Sequence, residues 1–205
     1  MTGEYRQLTL SDLEPMAQVL AQSFEEDPLV SFIVPNKKKR VKTVVKFFRA
    51  MGRLNIRAKS AFGVGDPLQG VAVWSFPNKP EASATPKDLL TFLPVLFSSY
   101  VIGVRRARAV LSQIDANHKK YASEPHFYLD NLGVLASSRG KGLSSKLIRP
   151  FLEMADSQKV ISYTDTVTKS NVPLYEHFGF ELMEENLIAG TGITTYALRR
   201  PVSNR

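Results

Sequence analysis

From Phe127 onward the sequence alternates strand-like and helix-like segments, and this alternation limits the fold more than any other feature of the chain. Phe127 to Leu135 reads as a strand, Gly142 to Asp156 as a helix and Lys159 to Val167 as a second strand. A short helix follows Asn171 and stops at Gly179, since glycine takes the left-handed conformation that ends helices. Phe180 to Ile188 and Ile193 to Arg199 close the chain as an antiparallel pair around Ala189-Gly190-Thr191-Gly192. Strands separated by helices call for a sheet covered on its faces, and the closing hairpin adds antiparallel neighbours. The predicted fold class is a mixed α/β (α+β) sheet with helices on both faces.

The first third begins strand, helix, helix, strand, strand. Glu4 to Leu8 is the first strand candidate, and Thr9 or Ser11 is placed to cap a helix from Asp12 towards Ser23. Leu13, Met16, Val19 and Leu20 recur in that helix at helical spacing, and Glu25-Glu26-Asp27-Pro28 ends it. Pro35 to Lys42 leads into a second amphipathic helix with Val44, Val45, Phe47, Phe48 and Met51 as its apolar members. Ala61 to Gly65 and Gly70 to Phe76 read as two strands around a turn holding Asp66-Pro67; Trp74, in the more apolar of them, reads as core. Asn78 to Thr85 reads as a loop, and Pro86 to Lys120 as helical. Leu89 to Val104 is the longest apolar stretch, but a helical span needs about 20 apolar residues. Broken by Pro94 and dotted with serines, it reads as a buried or cleft-lining helix and not as a membrane span. With 205 residues and no internal repeat, the chain reads as a single domain, 1–205.

The segment Ser137-Ser138-Arg139-Gly140-Lys141-Gly142-Leu143-Ser144-Ser145-Lys146-Leu147 joins a strand to a helix. It lacks the glycine spacing of the nucleotide-hydrolase phosphate loop. Its position still suits an anion. The first turn of a helix leaves N–H groups unpaired, the helix dipole adds positive charge there, and glycines let main chain approach closely. Arg139 and Lys141 add charge, and the whole chain carries +8. That excess favours anionic partners in general. The basic run Lys37-Lys38-Lys39-Arg40 reads as the start of a solvated helix; no RNA-binding aromatic pattern accompanies it, so no nucleic-acid partner is expected. Cysteine is absent, which removes disulfides, thiolate metal sites and covalent acyl-cysteine chemistry, and fits a cytoplasmic location. The segment Met1 to Leu10 does not read as a signal peptide. His118, His126 and His177 show no metal-ligand spacing, so no metal is expected.

Downstream, Asn171 is placed to cap a helix with Pro173 in its first turn, and Leu174 and Phe178 face one side of it. Tyr175 lies about 100° around that helix and points towards the strand feeding the basic loop. This pairing of loop and helix resembles the GNAT acyltransferase superfamily, whose loop is Gln/Arg-x-x-Gly-x-Gly/Ala. Here it runs Arg139-Gly140-Lys141-Gly142-Leu143-Ser144, with Ser144 in place of the usual Gly or Ala. His126 to Phe180 more closely resembles the puromycin N-acetyltransferase-like branch.

The resemblance implies a mostly antiparallel sheet with a V-shaped splay between Phe127–Leu135 and Lys159–Val167. Acetyl-CoA would lie in that splay. Main-chain groups of Leu132, Gly133 and Val134 would pair with the pantetheine arm as an added strand would. Arg139, Gly140, Lys141, Gly142, Leu143 and Ser144 would hold the pyrophosphate, Asn171 would contact the arm, and Tyr175 would sit beside the thioester sulfur. The implied reaction is direct transfer of acetyl to a primary amine of a small molecule or peptide in a ternary complex. The alternative is a CoA-binding sensor of the same fold without turnover.

Tyr175 would donate a hydrogen bond or proton to the departing sulfur. Asp130 and Glu26 are the candidate bases; His126 and Asp165 stand behind them. The acceptor would meet Glu25 to Pro35 and the helical insertion 86–120, with Phe92, Phe97 and Tyr100 as apolar candidates. Sequence alone leaves monomer and homodimer both open.

Overall fold

The computed structural model describes residues 5–77 and 85–203. Glu4, and Asn78 to Ala84 of the expected loop, lie outside them. The strands are β1 (Arg6–Gln7), β2 (Ala61–Val64), β3 (Gly70–Ser75), β4 (His126–Val134), β5 (Ile161–Thr166), β6 (Glu181–Ile188) and β7 (Ile193–Arg200). The helices are α1 (Leu13–Ser23), α2 (Pro28–Ile33), α3 (Lys37–Arg57), α4 (Pro86–Leu96), α5 (Ser99–Arg106), α6 (Arg108–Tyr121), α7 (Leu143–Ser157) and α8 (Val172–His177).

The strands form one seven-stranded sheet in the order β1-β2-β3-β4-β5-β7-β6. Only β4 and β5 are parallel neighbours; every other pair is antiparallel. The expected mixed sheet is therefore found, and it is covered on both faces. Period-two alternation explains how. Val71 and Val73 of β3 join a core with Met16, Leu20, Val44 and Phe48 from α1 and α3. Ala72 and Trp74 point the other way, into a core with Leu147, Ile148 and Phe151 of α7. The Trp74 indole donates to the Leu147 carbonyl at 3.1 Å, so the ring is buried without an orphaned N–H.

Two features of this sheet open a gap. Register shifts between Val73 and Trp74, which pair with Asn131 and Leu129, leaving Asp130 as the extra residue of a bulge on β4. On its other side β4 pairs with β5 only from His126↔Ile161 to Leu129↔Thr164, although β4 runs on to Val134 and β5 to Thr166. Beyond Leu129 the two parallel strands diverge. The Thr164 hydroxyl sits at the apex and donates to the Leu129 carbonyl at 2.9 Å.

Two readings of the sequence need correction, and one helix is additional. Within Glu25 to Pro35, Asp27 caps α2, its Oδ1 accepting from the N–H groups of Leu29 (2.9 Å) and Val30 (3.1 Å), with Pro28 in the first turn. The run from Lys37 is not all solvated. Arg40 is buried and donates to the carbonyls of Val34, Glu25 and Pro35, pinning the segment around α2.

Leu89 to Val104, expected as a buried or cleft-lining helix, is that only in part: Tyr100 and Val104 line a cavity, but the stretch forms two helices. Leu89, Leu90, Leu93, Leu96, Phe97 and Ile102 are exposed, while Val95 and Tyr100 are buried. Pro94 stays within α4, and the chain breaks after it, where Ser98 caps α5 by accepting from Tyr100 N–H. Among the described residues no single helix is long and apolar enough to cross a membrane; α4 and α5 pass that test only together, and they meet at 81°.

Candidate active site

Leu135 N–H donates to the Gln69 carbonyl, so odd-numbered main-chain groups at this end of β4 face β3. By the two-residue repeat, those of Leu132 and Val134 face the gap, unpaired by β5. Both residues line a cleft of about 350 Å³ with Arg139, Ser144, Asn171 and Tyr175. Six of the eleven residues expected to meet a cofactor thus lie along one groove; Gly133, Gly140, Lys141, Gly142 and Leu143 are not among its lining. Gly133 does something else with its missing side chain: a Cβ there would lie 3.0–3.1 Å from Ser23 and Leu20, so the glycine lets α1 press against β4. The Ser23 hydroxyl is brought beside the groove, buried and without a hydrogen-bond partner among the described residues.

The basic loop has the predicted geometry. Gly140 (φ +76°) and Gly142 (φ +72°) both take the left-handed conformation, and nothing lies within 4 Å of the position a Cβ would occupy. Gly142 is the N-cap of α7, so the unpaired N–H groups of the first helical turn emerge there. Leu143 turns into the core and offers only its main chain, while Lys141 is exposed. Ser138 anchors the loop by donating to the Gln69 side chain at 3.2 Å. These features fit a diphosphate-bearing pantetheine ligand: a bare strand edge, an unclaimed hydroxyl and open glycine main chain at a helix start.

Asn171 occupies the N-cap position of α8, yet its side chain does not cap. A 3₁₀ turn, Lys169–Asn171, runs straight into the helix and gives Asn171 helical angles, so its amide instead donates to Thr166 Oγ1 at 3.3 Å. Tyr175 is buried beside Thr164 and lines both the cofactor groove and a central cavity of about 400 Å³. Burial pushes its phenol up to about 12, so it stays protonated and able to donate near neutral pH.

The candidate bases separate clearly in space. Glu26 is exposed, lines only the cofactor-side groove, and is ion-paired with Lys37 at 2.6 Å, which holds its carboxyl below the usual range. Asp130, on the bulge, is exposed and lines both the central cavity and an outer cavity of about 770 Å³. Asp165 lies across the gap on β5. Burial raises its carboxyl to about 7, opposed by the Tyr128 hydroxyl, which donates to it at 3.0 Å, and aided by the charge of Asp130. The link between residues 128 and 165 exists only because β4 and β5 are neighbours, so spacing along the chain could not rank Asp165 first. Of the apolar acceptor candidates, Tyr100 lines the central cavity and stacks on Phe47 at 4.8 Å, whereas Phe92 packs into the core and Phe97 is exposed.

The outer cavity holds a pair no sequence pattern announced. His118 Nε2 and His126 Nε2 lie 2.7 Å apart, and His126 Nδ1 is 2.7 Å from the Glu124 carbonyl. A carbonyl only accepts, so His126 Nδ1 donates, and in the neutral pair its Nε2 accepts from His118. Among the described residues no group of three or more metal-ligating side chains is found.

A sheet that splays beside a glycine loop, with a buried tyrosine where two cavities meet, defines the acyl-CoA N-acyltransferase fold. The comparisons agree. Residues 73–180 match the acetyltransferase (GNAT) family, and the chain belongs to that family. It is 26% identical over 193 residues to a probable serine/threonine-protein kinase of Dictyostelium discoideum, the match taking in 86% of this chain and 20% of that one. The chain thus spans about a fifth of that relative's length. It is 25% identical over 189 residues to an uncharacterized N-acetyltransferase of Schizosaccharomyces pombe, covering 85% and 73% of the two chains. In structure it is similar to histone acetyltransferase HPA2 and related acetyltransferase from Corynebacterium glutamicum, with a TM-score of 0.65 at 18% identity over 100% and 99% of the chains.

Proposed function

We propose that this GNAT-family protein transfers acetyl from acetyl-CoA to a primary amine directly, in a ternary complex. The observation that carries the reading is the junction at Tyr175, where the groove along Leu132 and Val134 meets the central cavity bearing Asp165. Membership of the family supports the acetyl donor. When bound, the donor supplies an activated acyl group and a thiolate leaving group.

In this reading the gap-facing main chain of Leu132 and Val134 orients the pantetheine arm, and the unclaimed Ser23 hydroxyl is available to one of its amides. The N–H groups following Gly140 and Gly142 receive the diphosphate, with Arg139 nearby. Asp165 takes a proton from the acceptor ammonium; a carboxyl near 7 combines ionisation with useful basicity at neutral pH. Asp130, open to the outer cavity, passes that proton to water. Tyr175 donates to the departing sulfur. Glu26 keeps its ion pair and takes no part in the transfer.

The motif run from His126 to Phe180 is what favours the puromycin N-acetyltransferase-like branch, and the cysteine-free composition is what favours the cytoplasm. A sensor without turnover needs no base, and the raised carboxyl of Asp165 in the central cavity supports turnover instead. The test is acetyl-CoA binding by calorimetry followed by thiol release across an amine library. Binding with turnover of an amine is expected; no binding overturns the reading, and binding without turnover of any amine favours the sensor.

A further inference from the structure

Among the described residues, seven of the twelve exposed large apolar side chains fall between Leu89 and Leu111, so one surface region holds most of them. Helical geometry gathers five on a single face. At about 100° per residue, Leu89, Leu90, Leu93, Leu96 and Phe97 cover an arc of about 120°. Phe97 keeps the helical path, since its N–H donates to the Leu93 carbonyl at 3.2 Å. Val95, on the far side of α4, is buried and joins the core. An apolar arc of this width is what a surface helix normally turns inward. Here it is turned outward.

α5 repeats the arrangement on a smaller scale. Its inner side is fixed: Tyr100 and Val104 line the central cavity, and a Cβ on Gly103 would lie 2.0 Å from the Ile33 carbonyl oxygen, so the helix presses against α2. Ile102 is on the outer side and exposed. Arg105 and Arg106 lie within about 60° of it around the helix. Arg106 donates to the Phe32 carbonyl at 3.3 Å and sits over the Phe32 ring, which fixes its charge beside α2. Arg105 and Arg108 are exposed. From Leu89 to Ile114 the sequence carries three arginines and no acidic residue.

We propose that the outer face of α4 and α5 docks on an anionic lipid bilayer, its apolar side chains entering the boundary between headgroups and acyl chains and its arginines meeting lipid phosphates. The two helices meet at 81°, which makes no straight span, but two crossing helices can lie in one plane, as an interfacial site requires. Charge selects this occupant. A second copy of the chain docking face to face would bring the same arginines against each other. An anionic bilayer supplies hydrocarbon and negative charge together. The net charge of +8 draws the whole molecule the same way.

The experiment is co-sedimentation of the full chain with phosphatidylcholine vesicles, with and without about 30% phosphatidylserine. Binding to the anionic vesicles is expected to exceed binding to the neutral ones about tenfold or more, and to weaken as salt rises. No binding to the anionic vesicles, or equal binding to both, overturns the proposal. Phe97 is 87% exposed, so Phe97→Glu places a carboxylate on the face without touching the core. It is expected to reduce vesicle binding about tenfold or more, with an unchanged melting temperature. Unchanged binding overturns the placement.

A second variant reads the contact directly. Trp74 is the one tryptophan and is buried under α7, so the added indole of Phe97→Trp reports on its own surroundings. Its emission is expected to shift to the blue on anionic vesicles. Self-association that Phe97→Glu abolishes, without any vesicle binding, assigns the face to a second copy and overturns the proposal. Acetyl transfer stands or falls separately from each of these results.

Discussion

Asp165 is held between opposing influences, and its behaviour with pH follows from them. Its carboxyl is raised from 3.8 to about 7 chiefly by burial. Since the folded value lies above the unfolded one, folding favours the protonated form. That stability is fully present below about pH 4 and is lost as pH rises through about 7. At 1.36 kcal/mol for each pH unit between 3.8 and 7, the loss is on the order of 4 kcal/mol. Asp165→Asn still accepts from Tyr128 and carries no charge, so its melting temperature should exceed the wild type's at pH 8 and match it near pH 3.5. The same variant should lose about 100-fold or more in kcat at neutral pH. Asp130→Asn removes the neighbouring charge, so the acid limb of the wild-type pH–rate profile should move to lower pH; an unmoved limb would uncouple the two carboxylates. Tyr175→Phe should lower kcat about 10- to 100-fold with an unchanged acetyl-CoA Kd, a combination read from initial rates and calorimetry together.

At the scale of elements, the sequence was informative wherever a signal is local. β3, β4, β5 and the closing hairpin fall within one or two residues of their predicted bounds, because alternation and glycine punctuation lie inside each segment. Gly140 and Gly142 were legible for the same reason, and their left-handed angles make Gly142→Val a specific test. A β-branched residue there costs about 1–2 kcal/mol of backbone strain and should weaken CoA binding in calorimetry without lowering the far-UV helix signal.

What was not legible depends on contacts between distant segments. α2 is only six residues long, too short for periodicity, although Asp27-Pro28 carried its start signal. Arg40 looked solvated among lysines, yet it shares the buried i, i+4 stripe with Val44 and Phe48. Arg40→Met should remove three carbonyl partners and cost about 2–4 kcal/mol, measured by denaturant unfolding. The proposed base, Asp165, ranked behind Asp130 and Glu26 for a similar reason: neither Tyr128 nor Asp165 is unusual alone, and the parallel pairing of β4 with β5 brings them together.

Across the whole molecule, three cavities share walls. The groove and central cavity have Phe24, Asp27, Leu132, Asn171 and Tyr175 in common; the central and outer cavities have Met51, Asn55, Tyr128 and Asp130 in common. In the proposed reading donor and acceptor occupy adjoining cavities and are present together. Initial-rate lines should intersect when both substrates are varied; parallel lines would require an acyl-enzyme for which this cysteine-free chain has no thiol. CoA at about 100 times its Kd should stabilise the fold by about 2.7 kcal/mol. The most direct test of the central claim is a crystal structure with CoA bound. It should have pantetheine amides paired to the main chain of Leu132 and Val134, the diphosphate against Gly140 to Ser144, and the Tyr175 hydroxyl in hydrogen-bond reach of the sulfur. CoA seated elsewhere, with the gap between β4 and β5 left empty, would contradict the account.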